Sequence, residues 1–244
     1  MALIVNADDF GMNDKVNNAI TDAFDRGLID RTTLLVNMPG AEKAMEIARK
    51  RGFDERVGLH LNLTSGRPLT DEMAHDPVMC NSAGEFTADF ARNMKTRFFL
   101  PKNTRRNVER ELRAQLDMFG RLGGKTWHVD SHHYVHTDPS IWRILKKVLR
   151  DYPVVSVRLG RNMYKGGNPL LHIYKSLLNS SIRKFCNGHP AFFGSAEDYK
   201  EYAAGKPSLA QRFDVEVMVH PVYDSNGTLS DAYMGEFHEL LRLY

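Results

Sequence analysis

The feature that most constrains this chain is a rhythm: a short apolar run, a polar loop, then a stretch of helical period, repeated along most of its length. The first run is Leu3–Ala7, and Asp8-Asp9-Phe10-Gly11 leads from it into a helix expected near Val16–Arg26, with Gly27 placed to stop it. Thr32–Val36, rich in β-branched and aliphatic residues, precedes a helix over Ala41–Arg51 that Gly52 ends. Val57–Leu63 is the third strand-like run, and residues 65–100 form a long excursion of scattered Pro, Gly and polar residues. The rhythm resumes with a helix over Asn103–Leu122, whose apolar stripe is Val108, Leu112, Leu116 and Phe119. Thr126–Val129 is the next strand, Asp138-Pro139 opens a helix to about Tyr152, and Val154–Val157 is another strand. Residues 159–190 hold a Gly-Gly loop and a helix around Leu170–Phe185, and Ser195 with Asp198 makes a capping box. Phe213–Val219 is the last strand-like run, and Ser230 opens a final helix.

Strands alternating with helices imply βαβ units and a mostly parallel sheet. At 244 residues the choice is an open doubly wound sheet or a (β/α) barrel, which takes about 250 residues. Asp8-Asp9-Phe10-Gly11 is acidic where a dinucleotide-binding loop carries glycines, which argues against a Rossmann cofactor site. The whole of residues 1–244 reads as one domain.

Composition narrows the function classes. Lys plus Arg is 33 and Asp plus Glu 30, a net charge of +3, too mild to call for a polyanion partner. Lys95, Arg97, Lys102, Arg105 and Arg106 flank Phe98-Phe99, and such a run reads as a solvated face; no nucleic-acid partner is expected. No run approaches the roughly 18 apolar residues of a membrane span, so no membrane partner is expected either. The apolar stretch Ala2–Val5 is broken by Asn6 and Asp8-Asp9, unlike a signal peptide, and Cys80 and Cys186 are too few for a disulfide framework. A cytoplasmic protein is the expectation.

Reactive side chains cluster where strands end. Asp8 and Asp9 follow the first run, His60 lies near the end of the third, Arg158 closes Val154–Val157, and His220 closes the run that contains Glu216. In a parallel barrel these ends share one face, where active sites are built. Each has a plain structural reading as well: Asp8-Asp9 as a helix cap, His60 as a hydrogen-bonded core residue, Arg158 as a salt-bridge partner, His220-Pro221 as a turn. Adjacent carboxylates after a buried strand are nevertheless costly unless a cation relieves them. Four of the ten histidines, His128, His132, His133 and His136, fall within nine residues, and metal binding is the preferred account of that cluster.

Three segments together carry a family likeness. Asn6-Ala7-Asp8-Asp9-Phe10-Gly11, Gly58-Leu59-His60-Leu61-Asn62-Leu63-Thr64 with Gly66-Arg67-Pro68-Leu69, and His128-Val129-Asp130-Ser131-His132-His133-Tyr134-Val135-His136 resemble the YdjC-like carbohydrate deacetylases, which include the chitooligosaccharide deacetylases. Val157-Arg158, Phe192-Phe193-Gly194 and Glu216-Val217-Met218-Val219-His220-Pro221 extend the likeness. Tyr134 stands where members often have a third consecutive His, and a closing strand seen in relatives is expected to be missing after the last helix.

The resemblance implies a distorted, TIM-barrel-like (β/α) fold, hydrolysis of the N-acetyl group of an acetylated sugar, and a homodimer. It also implies a divalent metal ion: Mg2+ is the ion the family suggests, while two imidazoles would suit Zn2+. Carried over residue by residue, Asp9, His60 and His132 are the metal ligands and Asp8 the catalytic base. His220 is the general acid or an oxyanion donor, and Arg158 orients Asp8. Asp130 or Ser131 could hold a liganding histidine by its second nitrogen. The rival readings are a metal-dependent hydrolase of another bond, such as a phosphate ester, and a sugar- or metal-binding protein without catalysis.

Overall fold

The computed structural model describes residues 3–164, 168–203 and 209–237. Within them the chain runs β1 (Leu3–Phe10), α1 (Asp14–Asp25), β2 (Arg31–Leu34), α2 (Ala41–Arg51), β3 (Val57–Leu61) and three short helices, α3 (Asp71–Ala74), α4 (Asp89–Arg92) and α5 (Met94–Phe98). It continues through α6 (Lys102–Arg121), β4 (His128–Ser131), α7 (Pro139–Val148), β5 (Ser156–Val157), α8 (Pro169–Arg183), β6 (Phe192–Ser195), α9 (Ala196–Ala203), α10 (Leu209–Arg212) and β7 (Val215–Val219). The strands β8 (Pro221–Tyr223), β9 (Leu229–Asp231) and β10 (Gly235–Glu236) pair antiparallel in a separate small sheet.

The main sheet has the order β5-β4-β3-β2-β1-β7-β6, and every pair in it is parallel. It curls into an incomplete barrel flanked by helices, as the alternating pattern requires. The edges β5 and β6 share no ladder. Asn162, four residues beyond Arg158, spans the gap: its amide donates to the Phe193 carbonyl at 3.0 Å, Nδ2 donates to Ala191 O at 3.1 Å, and Oδ1 accepts from Phe193 N at 2.8 Å.

Helix positions follow local chemistry. Asn13 caps α1 by accepting from Val16 N, so the helix begins two residues before the apolar period does. Gly52 ends α2 in the left-handed conformation, φ +76°, which costs glycine no Cβ clash. Ser195 and Asp198 form the expected reciprocal capping box at the start of α9, with bonds of 2.9 and 3.1 Å. On α6 the stripe Val108, Leu112, Leu116 and Phe119 is fully buried. Burial of four such side chains contributes about 6–12 kcal/mol before the entropy of ordering is subtracted. No described helix is long and apolar enough to cross a membrane.

Two differences from the sequence reading stand out. Residues 229–231 are strand β9, where Ser230 was expected to open a helix; the segment is extended because it pairs with β8, a contact no local pattern announces. Strand β6 was not anticipated either, since Phe192–Ser195 has only two apolar residues and owes its strand to β7. The Gly166-Gly167 loop, and the residues after Phe237 in which a closing strand was expected to be missing, lie outside the described residues.

Side chains inside the barrel are mostly polar. In β7, Val215, Val217 and Val219 alternate with Glu216 and Met218. Glu216 and Met218 take the inner face, and the three valines are buried on the opposite face of the strand, packed into the core. With Asn6, Asp8, Thr33, His60, Asp130 and Arg158, Glu216 forms a buried polar interior.

Candidate active site

Strand β1 supplies two adjacent carboxylates to one end of the barrel, which regular pleating forbids. The register with β2 passes from Ala7↔Thr32 to Phe10↔Leu34, three residues against two, so β1 bulges at Asp8 and Asp9. Asp9 takes the left-handed conformation there, φ 71°, a strained choice for a residue with a Cβ and one found repeatedly at functional sites. The bulge lets Asp8 point into the barrel while Asp9 turns to the cavity at its mouth.

Asp8 is held from two sides. Arg158 donates from Nη1 to Oδ2 and from Nη2 to Oδ1, both at 2.7 Å. Asn6 Nδ2 also donates to Oδ1, at 2.8 Å. Oδ2 accepts only from Arg158 among the described residues and keeps a lone pair free. Arg158 itself is fully buried; its Nε donates to Glu216 Oε1 at 2.7 Å, and its Nη1 lies 2.7 Å from Asp130 Oδ2. Arg31 completes the network, 2.7 Å from Glu216 Oε2. Burial opposes ionisation of Glu216, but Arg31 and Arg158 outweigh it and hold the carboxyl at about 2.

Around Asp9 three donor atoms converge. His132 Nδ1 lies 2.8 Å and His60 Nε2 3.3 Å from Asp9 Oδ1, yet that buried oxygen accepts no well-aligned hydrogen bond. Register places His60 beside Asp130 on neighbouring parallel strands, and His60 Nδ1 donates to Asp130 Oδ1 at 2.6 Å. Thr33 Oγ1 donates to the other Asp130 oxygen at 3.0 Å. This is the carboxylate–histidine arrangement that fixes the tautomer of a metal-ligating imidazole and leaves Nε2 for a cation. Burial disfavours charge on His60, but the Asp130 and Asp8 carboxylates prevail and raise it to about 10 when a proton takes the place of a metal. Burial likewise disfavours the Asp9 carboxylate, and the His132 and His60 imidazoles overcome it and hold the group well below its ordinary value.

A second group, Asp8, His60 and Asp130, also has its donor atoms within 4.8 Å of one another. Arg158 already neutralises both of its carboxylates, so it suits a cation less well. Asp9, His60 and His132 have an unsatisfied oxygen, a correctly oriented imidazole and an open side, and these residues fit a divalent ion.

The histidine cluster divides. Only His132 reaches the candidate metal group, and the metal reading of the whole cluster does not hold. His128 is in β4, bonded through Nδ1 to Ser156 Oγ at 2.7 Å, and burial together with Arg31 pushes it down to about 3. His136 is buried, pushed down to about 4 by that burial, and donates from Nε2 to the Arg158 carbonyl at 3.1 Å while Nδ1 accepts from Ser131 Oγ at 2.6 Å. It therefore braces the segment that carries Arg158. His133 stacks on His132, ring centroids 4.0 Å apart, and bonds to Thr64 Oγ1 at 3.0 Å. His133 and Tyr134 are consecutive left-handed residues, φ 52° and 56°. Tyr134, in place of the third histidine, donates from its hydroxyl to Met218 Sδ at 2.7 Å.

A cavity of about 310 Å³ opens over this group, with Asp8, Asp9, His60, His132 and His220 in its lining. Arg158 lies beneath it rather than in it. His220 follows β7 and stands next to Asp8 because Val219 pairs with Ala7. Its amide is tied to Asp231 Oδ2 at 2.6 Å.

The YdjC-like protein family matches residues 2–240. The chain belongs to that family. This YdjC-like chain is 32% identical over 222 residues to a carbohydrate deacetylase of Geobacillus stearothermophilus, covering 90% of the chain and 79% of the relative. It is 33% identical over 230 residues to a carbohydrate deacetylase of Brevibacillus brevis, covering 94% and 85%. Among solved structures it superposes, with a TM-score of 0.68 and 24% identity, on an Enterococcus faecalis protein described as a proposed cellobiose-phosphate cleavage protein. That match covers 92% of this chain and 82% of the other, and speaks for the fold. The residues of the YdjC-like site that sequence reasoning did not single out are Thr33, as partner of Asp130, and Asp231, as anchor of His220. Thr33 carried only a weak signal, a second hydroxyl residue just before the apolar Leu34-Leu35-Val36 of its strand run, whereas Asp231 carried none.

Proposed function

We propose that this protein hydrolyses the N-acetyl group of an acetylated sugar or chito-oligosaccharide and releases acetate, with a divalent cation held by Asp9, His60 and His132. The observation that carries the reading is the pairing of two adjacent carboxylates with different partners: Asp8 with Arg158, Asp9 with two imidazoles. Relatives named carbohydrate deacetylase support the substrate class. The cation is Mg2+, with Zn2+ the alternative that two nitrogen donors favour.

The cation supplies Lewis-acid polarisation of the acetyl carbonyl and of the attacking water. Asp8 takes the proton of that water on Oδ2, the oxygen with a free lone pair, and Arg158 keeps the carboxylate aimed at the cavity. His220, across the same cavity, gives a proton to the departing amine. Asp130 steers His60, and Glu216 steers Arg158, so neither needs to touch substrate.

The same reading has one catalytic domain over residues 1–244, in the cytoplasm, acting as a homodimer; sedimentation of the purified chain tests the last. The decisive experiment measures acetate release from N-acetylglucosamine and its oligomers, with Mg2+ and with Zn2+. Release that a chelator abolishes is expected. Absence of release from every acetylated sugar under both metals overturns the proposal.

A further inference from the structure

At the mouth of the cavity one aromatic ring is left bare. Tyr233 is 79% exposed and lines the same cavity as Asp8, Asp9 and His220. A single exposed aromatic is ordinary on a protein surface, but this one is fastened in place. Asp231, buried in β9, accepts from the His220 amide through Oδ2 at 2.6 Å, and from the Tyr233 and Met234 amides through Oδ1, both at 2.9 Å. The Ala232 amide donates in turn to the His220 carbonyl at 3.0 Å. One carboxylate thus locks the turn that carries Tyr233 to the backbone of His220.

The two rings meet at 4.9 Å between centroids and 79° between planes, an edge-to-face contact that leaves most of the phenol ring open. A glucosamine-type pyranose with equatorial substituents turns a face of axial C–H bonds outward, and those weakly positive hydrogens match the electron-rich face of an aromatic ring. Arg161 and Glu197 also line the cavity and offer a donor and acceptors to sugar hydroxyls.

We propose that Tyr233 is the platform for a second pyranose ring, next to the N-acetylated ring held over Asp8, Asp9 and His220. The preferred substrate is then at least a disaccharide, and Tyr233 sets that preference. The proposal rests on the deacetylase reading for the position of the first ring.

The test compares the full-length chain, supplied with divalent metal, with Tyr233→Ala, Tyr233→Phe and Tyr233→Trp. The substrates are N-acetylglucosamine and its β-1,4-linked disaccharide. The ratio of kcat/KM for disaccharide to that for monosaccharide is expected to fall about tenfold in Tyr233→Ala, through KM, and to persist in the Phe and Trp variants. Equal losses on both substrates would show that Tyr233 only orients His220 and would overturn the platform, as would an unchanged ratio. Titration calorimetry with the same two sugars separates this proposal from the deacetylase reading. If the wild type releases no acetate but binds the disaccharide more tightly, and Tyr233→Ala erases that difference, the platform stands and the deacetylase reading falls.

Discussion

Arg158 grips Asp8 by both carboxylate oxygens at 2.7 Å, and it does so from the far edge of the sheet, 150 residues away in sequence. The same guanidinium reaches Glu216 and Asp130. Removing a single member leaves its buried neighbours with one counter-charge fewer, which costs more than the pair is worth when intact.

Asp8→Asn and Asp9→Asn are expected to fail differently. Asp8→Asn keeps its metal and loses turnover by about 10²–10⁴-fold, the usual cost of a missing general base. Asp9→Asn binds metal weakly, and high metal concentration restores part of its activity; asparagine tolerates the left-handed backbone that Asp9 requires. Metal content by elemental analysis, set beside turnover, checks both. Matching behaviour of the two variants would refute the division of labour.

Glu216→Gln is expected to destabilise the fold by about 3–5 kcal/mol, because Arg31 and Arg158 lose a buried counter-charge. The carboxyl is held at about 2 in the folded protein, below its ordinary 4.5. Its contribution is therefore complete above pH 4.5 and fades as pH falls toward 2. Urea unfolding at pH 7 and at pH 3 tests this: the gap between wild type and variant narrows at the lower pH. A gap of the same size at both would count against the network.

Metal affinity is expected to rise with pH. Without a cation His60 keeps its proton up to about pH 10, through Asp130 and Asp8 and against its burial. A ligating Nε2 must shed that proton, so binding near neutral pH releases about one proton, and affinity climbs about tenfold per pH unit. The sign for the metal-free fold is opposite. The raised His60 contributes stability fully below about 6.5 and loses it as pH rises through about 10. Calorimetry in two buffers of different ionisation enthalpy counts the proton; a count near zero contradicts the ligand assignment.

His220→Ala is expected to slow deacetylation of a sugar amide by about 10²–10⁴-fold with metal content intact. An activated anilide, whose leaving group needs no proton, loses far less. Equal losses on both substrates would make His220 a group that stabilises the oxyanion or shapes the turn rather than an acid.

Most of the strand–helix order was legible because apolar period is local: the stripe on α6 and the runs of β1, β3 and β7 declare themselves. The site was legible as a set of strand ends, and the six residues singled out do gather around one cavity, Arg158 beneath it. What stayed hidden depends on partners distant in sequence. No glycine marks the bulge at Asp9, so nothing in the segment announces its left-handed turn. His128 and His136 looked like His132 in sequence, and only the fold shows otherwise: register sets His128 against Ser156, and the turn after β4 aims His136 at the Arg158 carbonyl. Ser230 looked like a helix cap because three residues of β9 carry no period of their own.

Barrels are usually hardened by refilling their interiors with larger apolar side chains. Here that volume is taken by ions, and the arginine that closes the network is the one that grips Asp8, the base of the proposed reaction. An engineer who greased the interior would gain rigidity and lose the enzyme, so room for thermal improvement lies on the outer seam between helices and sheet. Acid should disable such a molecule abruptly, since the protons that unmake its interior also reach the groups that work.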